Sequence, residues 1–174
     1  MADRAYNIPY RTAVNLDNDT LLALAEHPNI VGMKDCSACR AQSIDLLRHR
    51  PAGFRVLTGE DAQYFDALNG ADGAILLSAH FETDIFAAVH KHLTSGEREV
   101  AEACWRNVSE LTGLLFTEPS RAPAKYWLAR TGLIASAEMR LPMVAVSAEL
   151  ATRLDQEIAR RTLAGSQSGA VNVA

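Results

Sequence analysis

The sequence predicts an α/β fold, with parallel strands alternating with helices through residue 95 and only helices after it. Three observations lead there. Short apolar runs of β type recur with centres about 20 to 25 residues apart, the spacing that strand–loop–helix–loop units of a parallel sheet require. Helical apolar periodicity fills the gaps between them. From Glu97 onward the β-type runs cease, and helical stripes are separated at Pro119, Pro123 and Pro142.

The elements follow in chain order. A strand remnant precedes Tyr6, and Tyr6 to Thr12 (YNIPYRT) reads as a loop with an extended X-Pro step. Asn18 or Asp19 caps a helix that runs to about His27 and stops at Pro28, burying Leu21, Leu22, Leu24 and Ala25. Ile30 to Met33 is a buried strand ending in the charges Lys34 and Asp35. Ala38 to Arg48 is a helix with Ile44, Leu46 and Leu47 on one broad face, and basic residues at its C-terminal end suit the macrodipole. Phe54 to Thr58 is the next strand, Asp61 to Leu68 a helix, Gly73 to Leu77 a strand, and Asp84 to Leu93 a helix with Ile85, Phe86, Val89 and Leu93 at helical spacing. The all-helical part reads as Glu97 to Phe116, Ala122 to Arg130 and Ser147 to Leu163. The first of these carries the stripe Val100, Ala101, Cys104, Val108, Leu111 and Leu115. Residues 164–174, small and polar without period, are expected to be disordered, which gives segments 1–95, 96–163 and 164–174.

Composition narrows the function. A chain of 174 residues buries one good core, and 48% apolar with 22% charged residues is a globular balance. The net charge of -4 argues against nucleic-acid or anionic-membrane surfaces, leaving small-molecule or protein partners. No apolar leader or membrane-length run is visible, and three cysteines form no disulfide framework, so a cytoplasmic location is expected.

Lys34 heads the chemistry. It ends an apolar strand, where parallel α/β sheets gather their reactive groups. An amine that condenses with a carbonyl must be partly neutral, so its pKa has to fall from about 10.4 towards ~7 to 8 by desolvation or a neighbouring cation. The plain alternative is a strand-end lysine reaching into water. Tyr6 supplies a phenol suited to proton relay, and Arg11 a guanidinium suited to a carboxylate; an ordinary loop with a surface arginine fits as well. Cys36-Ser-Ala-Cys39 admits a zinc or redox reading, but four ligands are needed and incidental cysteines are the simpler account. Gly59-Glu60-Asp61 reads as an acidic turn capping the helix that follows.

Together YNIPYRT (from Tyr6), NIVGMKD (Asn29 to Asp35), VLTGEDA (Val56 to Ala62), GADGAILL (Gly70 to Leu77), Glu118-Pro119 and RLPM (Arg140 to Met143) resemble the dihydrodipicolinate synthase and N-acetylneuraminate lyase family, in family order. The resemblance implies the C-terminal half of a TIM (β/α)8 barrel, about strands 5–8, followed by a C-terminal helical segment. It implies a class I lyase or aldolase in which Lys34 forms a Schiff base with pyruvate or another 2-keto acid, with no cofactor and no metal. Tyr6 would relay protons, Arg11 would bind a substrate carboxylate, and Gly59 and Ile75 would line the pocket with backbone groups. The family's early substrate-binding loop has no counterpart here. The chain is therefore expected to be a truncated form that works in a homo-oligomer or with a complementary N-terminal half-barrel chain, and the resemblance leaves open whether it is active alone. The alternative is a non-catalytic half-barrel serving as an assembly or regulatory partner of a second chain.

Overall fold

The structure, a computed structural model, describes residues 2–68 and 70–169, with residues 164–169 described by backbone only. Four parallel strands form one sheet in the order β1-β2-β3-β4: β1 (Asp3–Asn7), β2 (Ile30–Asp35), β3 (Arg55–Thr58) and β4 (Gly73–Ala74). Each strand lies beside its sequence neighbour, the simple progression that right-handed βα units produce in a barrel. The predicted remnant before Tyr6 is thus a true strand, although its outer residues are exposed, in keeping with an edge. Lys34 lies inside β2 rather than beyond it, and β4 is shorter than the run Gly73 to Leu77 suggested.

Pairing aligns Tyr6 with Lys34 and Lys34 with Leu57, while Asn7, Asp35 and Thr58 align one step further on. Because successive strand residues face opposite sides, these form two lateral rows. The second row is polar yet buried, with Asn7, Asp35 and Thr58 each less than a tenth exposed. Asn7 is fully satisfied there: its amide donates to Asn15 Oδ1 (3.0 Å) and Leu16 O (3.3 Å), and its Oδ1 accepts from Leu16 N (3.1 Å). Asp35 accepts from Ser37 N (2.9 Å) and Ser43 Oγ (2.5 Å). Paired in this way, buried polar groups fix the loops leaving β1 and β2.

Among the helices, α1 (Pro9–Thr12) is a single turn in the segment expected to be a loop, opened by a proline at its first position. Next comes α2 (Asn18–Ala25), capped by Asp17, not by Asn18 or Asp19; the Asp17 carboxylate accepts from Thr20 N at 2.8 Å. In α3 (Arg40–His49) Leu46 is buried and Ile44 exposed, since residues two apart on a helix point to different sides. A 3-10 turn (Asp61–Gln63) precedes α4 (Tyr64–Ala67). A second (Ser78–His80) precedes α5 (Thr83–Thr94), and α6 spans Arg98–Leu115.

Leu21, Met33, Leu46, Phe54 and Val56 fill the space between the sheet and helices α2 and α3. A second cluster joins Tyr64, Phe65, Phe86, Val89, Ala101 and Val108; Val100 of the predicted stripe is exposed. Within it the rings of Tyr64 and Phe86 lie 5.3 Å apart, and the Tyr64 hydroxyl donates to Phe86 O at 2.8 Å. Burial pushes that phenol up to about 12.

The chain divides into two compact units, residues up to Val108 and residues from Ser109, so the division falls within α6. In the second unit α7 (Arg121–Arg130) meets α8 (Ala148–Gly169). The Asp155 carboxylate accepts from Tyr126 Oη (3.1 Å) and Arg130 Nε (2.7 Å), joining these two helices. The Glu118 carboxylate of the Glu-Pro motif accepts from Ser147 N at 3.1 Å, and Ser147 Oγ accepts from Leu150 N at 3.2 Å, which opens α8. The last helix continues past Leu163 to Gly169, so 164–169 is helical where disorder was expected, and 170–174 lies outside the described residues. Among the described residues no helix is long and apolar enough to cross a membrane.

Candidate active site

The carboxyl ends of the strands bring Tyr6 and Lys34 together. They are lateral partners on β1 and β2, so their side chains rise from the same face of the sheet. Lys34 Nζ donates to Tyr6 Oη at 3.3 Å and lies 4.6 Å from the centroid of the Tyr6 ring. The lysine is half-buried, while Tyr6 is 49% exposed, so the pair faces an accessible side.

Gly59 follows β3, its amide donating to Asp35 O at 2.7 Å. A Cβ at this position would stand 2.2 Å from Lys34 Cε and 2.4 Å from Cys36 Sγ. Glycine thus leaves the space that the lysine's stem and the thiol occupy, and a side chain there would have to displace them. Ile75 contributes backbone: its amide donates to Thr58 O at 2.9 Å while its side chain is exposed. Arg11 sits on the exposed helix α1, its guanidinium 5.4 Å from the centroid of the Tyr10 ring.

Three further groups belong to this neighbourhood, of which the sequence offered Cys36 a zinc or redox reading, Glu60 a place in a capping turn, and Tyr10 no role. Cys36 is buried, and its thiol donates to the same Tyr6 oxygen at 3.8 Å. Burial pushes the thiol above its ordinary range, and the Glu60 and Asp35 charges add to this, against the opposing pull of Tyr6 and Lys34. A sequence signal for Cys36 existed: it lies two residues past Lys34, which returns to the same face of an extended chain. Tyr10 is raised by burial first and by Glu60 and Cys36 next, with Arg11 acting against them.

Glu60 is the third. It precedes the 3-10 turn but makes no side-chain cap bond there; burial, then the Asp61 and Asp35 charges, raise its carboxyl, and Lys34 opposes them. Asp61 takes a different part from the one expected. Its carboxylate accepts from Ser78 N (2.7 Å) and Leu77 N (3.3 Å), so it anchors the segment after β4 rather than capping its own helix. Of the CxxC pair, Cys39 is exposed just before α3; among the described residues no group of three or more His, Cys, Asp or Glu is placed to hold a metal ion.

Fold and site define an α/β protein that presents an amine and a phenol, in contact, at the carboxyl rim of a parallel sheet. The sequence pattern of the Dihydrodipicolinate synthetase family matches residues 5–161, and the chain belongs to that family. It is 43% identical over 152 residues to 4-hydroxy-tetrahydrodipicolinate synthase 2 of Clostridium acetobutylicum, covering 87% of this chain and 53% of the relative. It also resembles the crystal structure of dihydrodipicolinate synthase from Thermotoga maritima, with a TM-score of 0.87 and 27% identity over 94% of this chain and 57% of that one. The chloride-inhibited enzyme from Acinetobacter baumannii, in complex with pyruvate, gives a TM-score of 0.82 and 30% identity over 87% of this chain and 52% of that one. The chain thus spans about half the length of these relatives.

Proposed function

We propose that this chain carries the imine-forming half of a pyruvate-dependent lyase or aldolase barrel, its four strands corresponding to strands 5–8 of eight. The contact between Lys34 Nζ and Tyr6 Oη at the carboxyl rim supports this above all else. In the proposed chemistry, neutral Lys34 attacks the keto carbon of pyruvate or another 2-keto acid. The resulting carbinolamine loses its hydroxyl as water, with Tyr6 delivering the proton that makes it a leaving group. The iminium then draws electrons from the adjacent methyl carbon, whose proton departs, and the enamine carbon forms the new bond to a second carbonyl compound. Cleavage runs the same steps backwards.

Arg11 is assigned to a substrate carboxylate, since a guanidinium matches that group in two-point geometry and α1 directly follows β1 in the chain. Gly59 and the Ile75 backbone line the pocket. The edges of the four-stranded sheet require cover from further strands, on the same polypeptide or another one.

The test is incubation with pyruvate followed by borohydride and peptide mass spectrometry. A reduced adduct on Lys34, absent in Lys34→Ala, is the expected result. Tyr6→Phe should slow adduct formation by about 10²-fold or more. If a full-length relative is labelled under the same conditions and this protein is not, a non-catalytic role as an assembly or regulatory partner takes the place of catalysis.

A further inference from the structure

We propose that a small cavity behind the carboxyl rim binds a monovalent cation, sodium or potassium, through the carboxylates of Asp35 and Glu60 and the hydroxyl of Thr58. Such a site is independent of the imine chemistry of Lys34. The cavity is about 20 Å3 in volume, and Asp35, Ser37, Ser43, Thr58, Glu60 and Gln63 supply its polar lining. Strand alternation gathers the three ligands. Asp35 and Thr58 are lateral partners on β2 and β3, on the side of the sheet where Met33 and Val56 pack with Leu46 of α3. Glu60 lies two residues past Thr58 in extended backbone (φ -98, ψ 100), so it returns to that side.

These groups have oxygen lone pairs to spare. Thr58 is 5% exposed, yet its hydroxyl has no hydrogen-bond partner among the described residues. A buried hydroxyl left alone is destabilising, so a polar occupant is expected to meet it. The half-buried Glu60 carboxylate likewise has no hydrogen-bond partner among the described residues. Asp35 accepts one bond at each oxygen, from Ser37 N and Ser43 Oγ, and keeps further lone pairs. A water would satisfy the hydroxyl but leave the two carboxylate charges unopposed within one cavity. Lys34, the cation that acts on Glu60, rises from the opposite face of the sheet. Alkali cations are hard and take oxygen ligands, and a cavity of this volume admits one ion or one water. The Gln63 amide donates to Ala38 O at 3.2 Å, joining two of the cavity's walls.

Thermal unfolding of the whole chain, followed by circular dichroism, tests the site. The parent is melted in sodium, potassium and tetramethylammonium chloride at equal ionic strength, and so are Glu60→Gln, Thr58→Val and Thr58→Ser. Tetramethylammonium is too large for the cavity and reports screening alone. Near saturation, sodium or potassium should raise the parent's midpoint by roughly 3 to 5 °C over tetramethylammonium. The rise should vanish in Glu60→Gln and Thr58→Val and persist in Thr58→Ser. Each variant is compared with itself across the salts, so its own stability does not enter; should one of the first two fail to fold, the other decides. A parent midpoint equal in all three salts means the cavity holds water only and overturns the proposal. A rise that survives in Glu60→Gln or Thr58→Val places the cation elsewhere and overturns it too.

Discussion

At the scale of single residues, the site depends on a missing side chain. Gly59 leaves the volume that Lys34 Cε and Cys36 Sγ occupy, and a methyl there would meet them at 2.2 and 2.4 Å. The lysine stem is flexible and yields, so Gly59→Ala should fold but displace the amine from the Tyr6 phenol. A displacement of about 1 Å costs on the order of a hundredfold in a positioned reaction. Pyruvate–borohydride trapping should show that loss with an unchanged circular dichroism spectrum; wild-type trapping rates in Gly59→Ala would remove the glycine from the site. That Lys34 and Tyr6 belong together came from the family resemblance of their motifs, since a strand-end lysine and a loop tyrosine suit plain surface roles equally well; the strand register sets the two side by side. Glu60 and Cys36 were less legible in the sequence. An acidic turn after a strand suits a cap, and only the coordinates show that Asp61 reaches across to Leu77 and Ser78 while Glu60 makes no cap bond.

At the scale of elements, β3 is held by one carboxylate. Asp72 accepts from Val56 N (2.8 Å) and Arg55 Nη1 (2.7 Å) and pairs closely with Arg50, whose guanidinium also reaches Phe54 O (3.0 Å). Burial alone would raise this carboxyl, but the hydrogen bonds from Arg50, Val56 and Arg55 prevail and bring it down to about 2. A carboxyl depressed on folding stabilises the native state in full above its unfolded pKa, about 3.9. That contribution fades as the pH falls through the folded value. Asp72→Asn should therefore cost about 1 to 3 kcal/mol at pH 7 by urea unfolding. The gap between variant and parent should close as the pH is lowered from 4 towards about 2. A gap that persists at low pH would assign the loss to packing rather than to charge. The sequence placed Gly70 to Gly73 as a turn but had no means of pairing Asp72 with two arginines some twenty residues upstream. Helix α1 was missed for a related reason: Pro9 both starts a helix and marks an extended step, and only the turn's own bonds, such as Arg11 N to Ile8 O at 3.0 Å, decide between them.

At the scale of the whole molecule, the alternation of parallel strands and helices was readable from the spacing, whereas the order β1-β2-β3-β4 is the one the barrel resemblance implied. What the spacing could not reveal was how the strands end. The edge strand β1 pairs with β2 on one side, and β4 with β3. If further strands close the sheet, amides of β1 that do not face β2 should resist hydrogen exchange in the assembled protein. Exchange at those amides as fast as in a peptide would show a sheet that stays open. The grasp of Asp61 on Leu77 and Ser78, together with the bond from Ile75 N to Thr58 O, bears on how such a protein could be altered. It rivets the exits of two neighbouring strands into one bracket, so a change of loop length after either strand drags the other with it. Under the proposed lyase reading, changes meant to alter substrate choice are better aimed at the residues between Cys36 and Arg40, where Ala38 and Cys39 are exposed and lie outside that bracket.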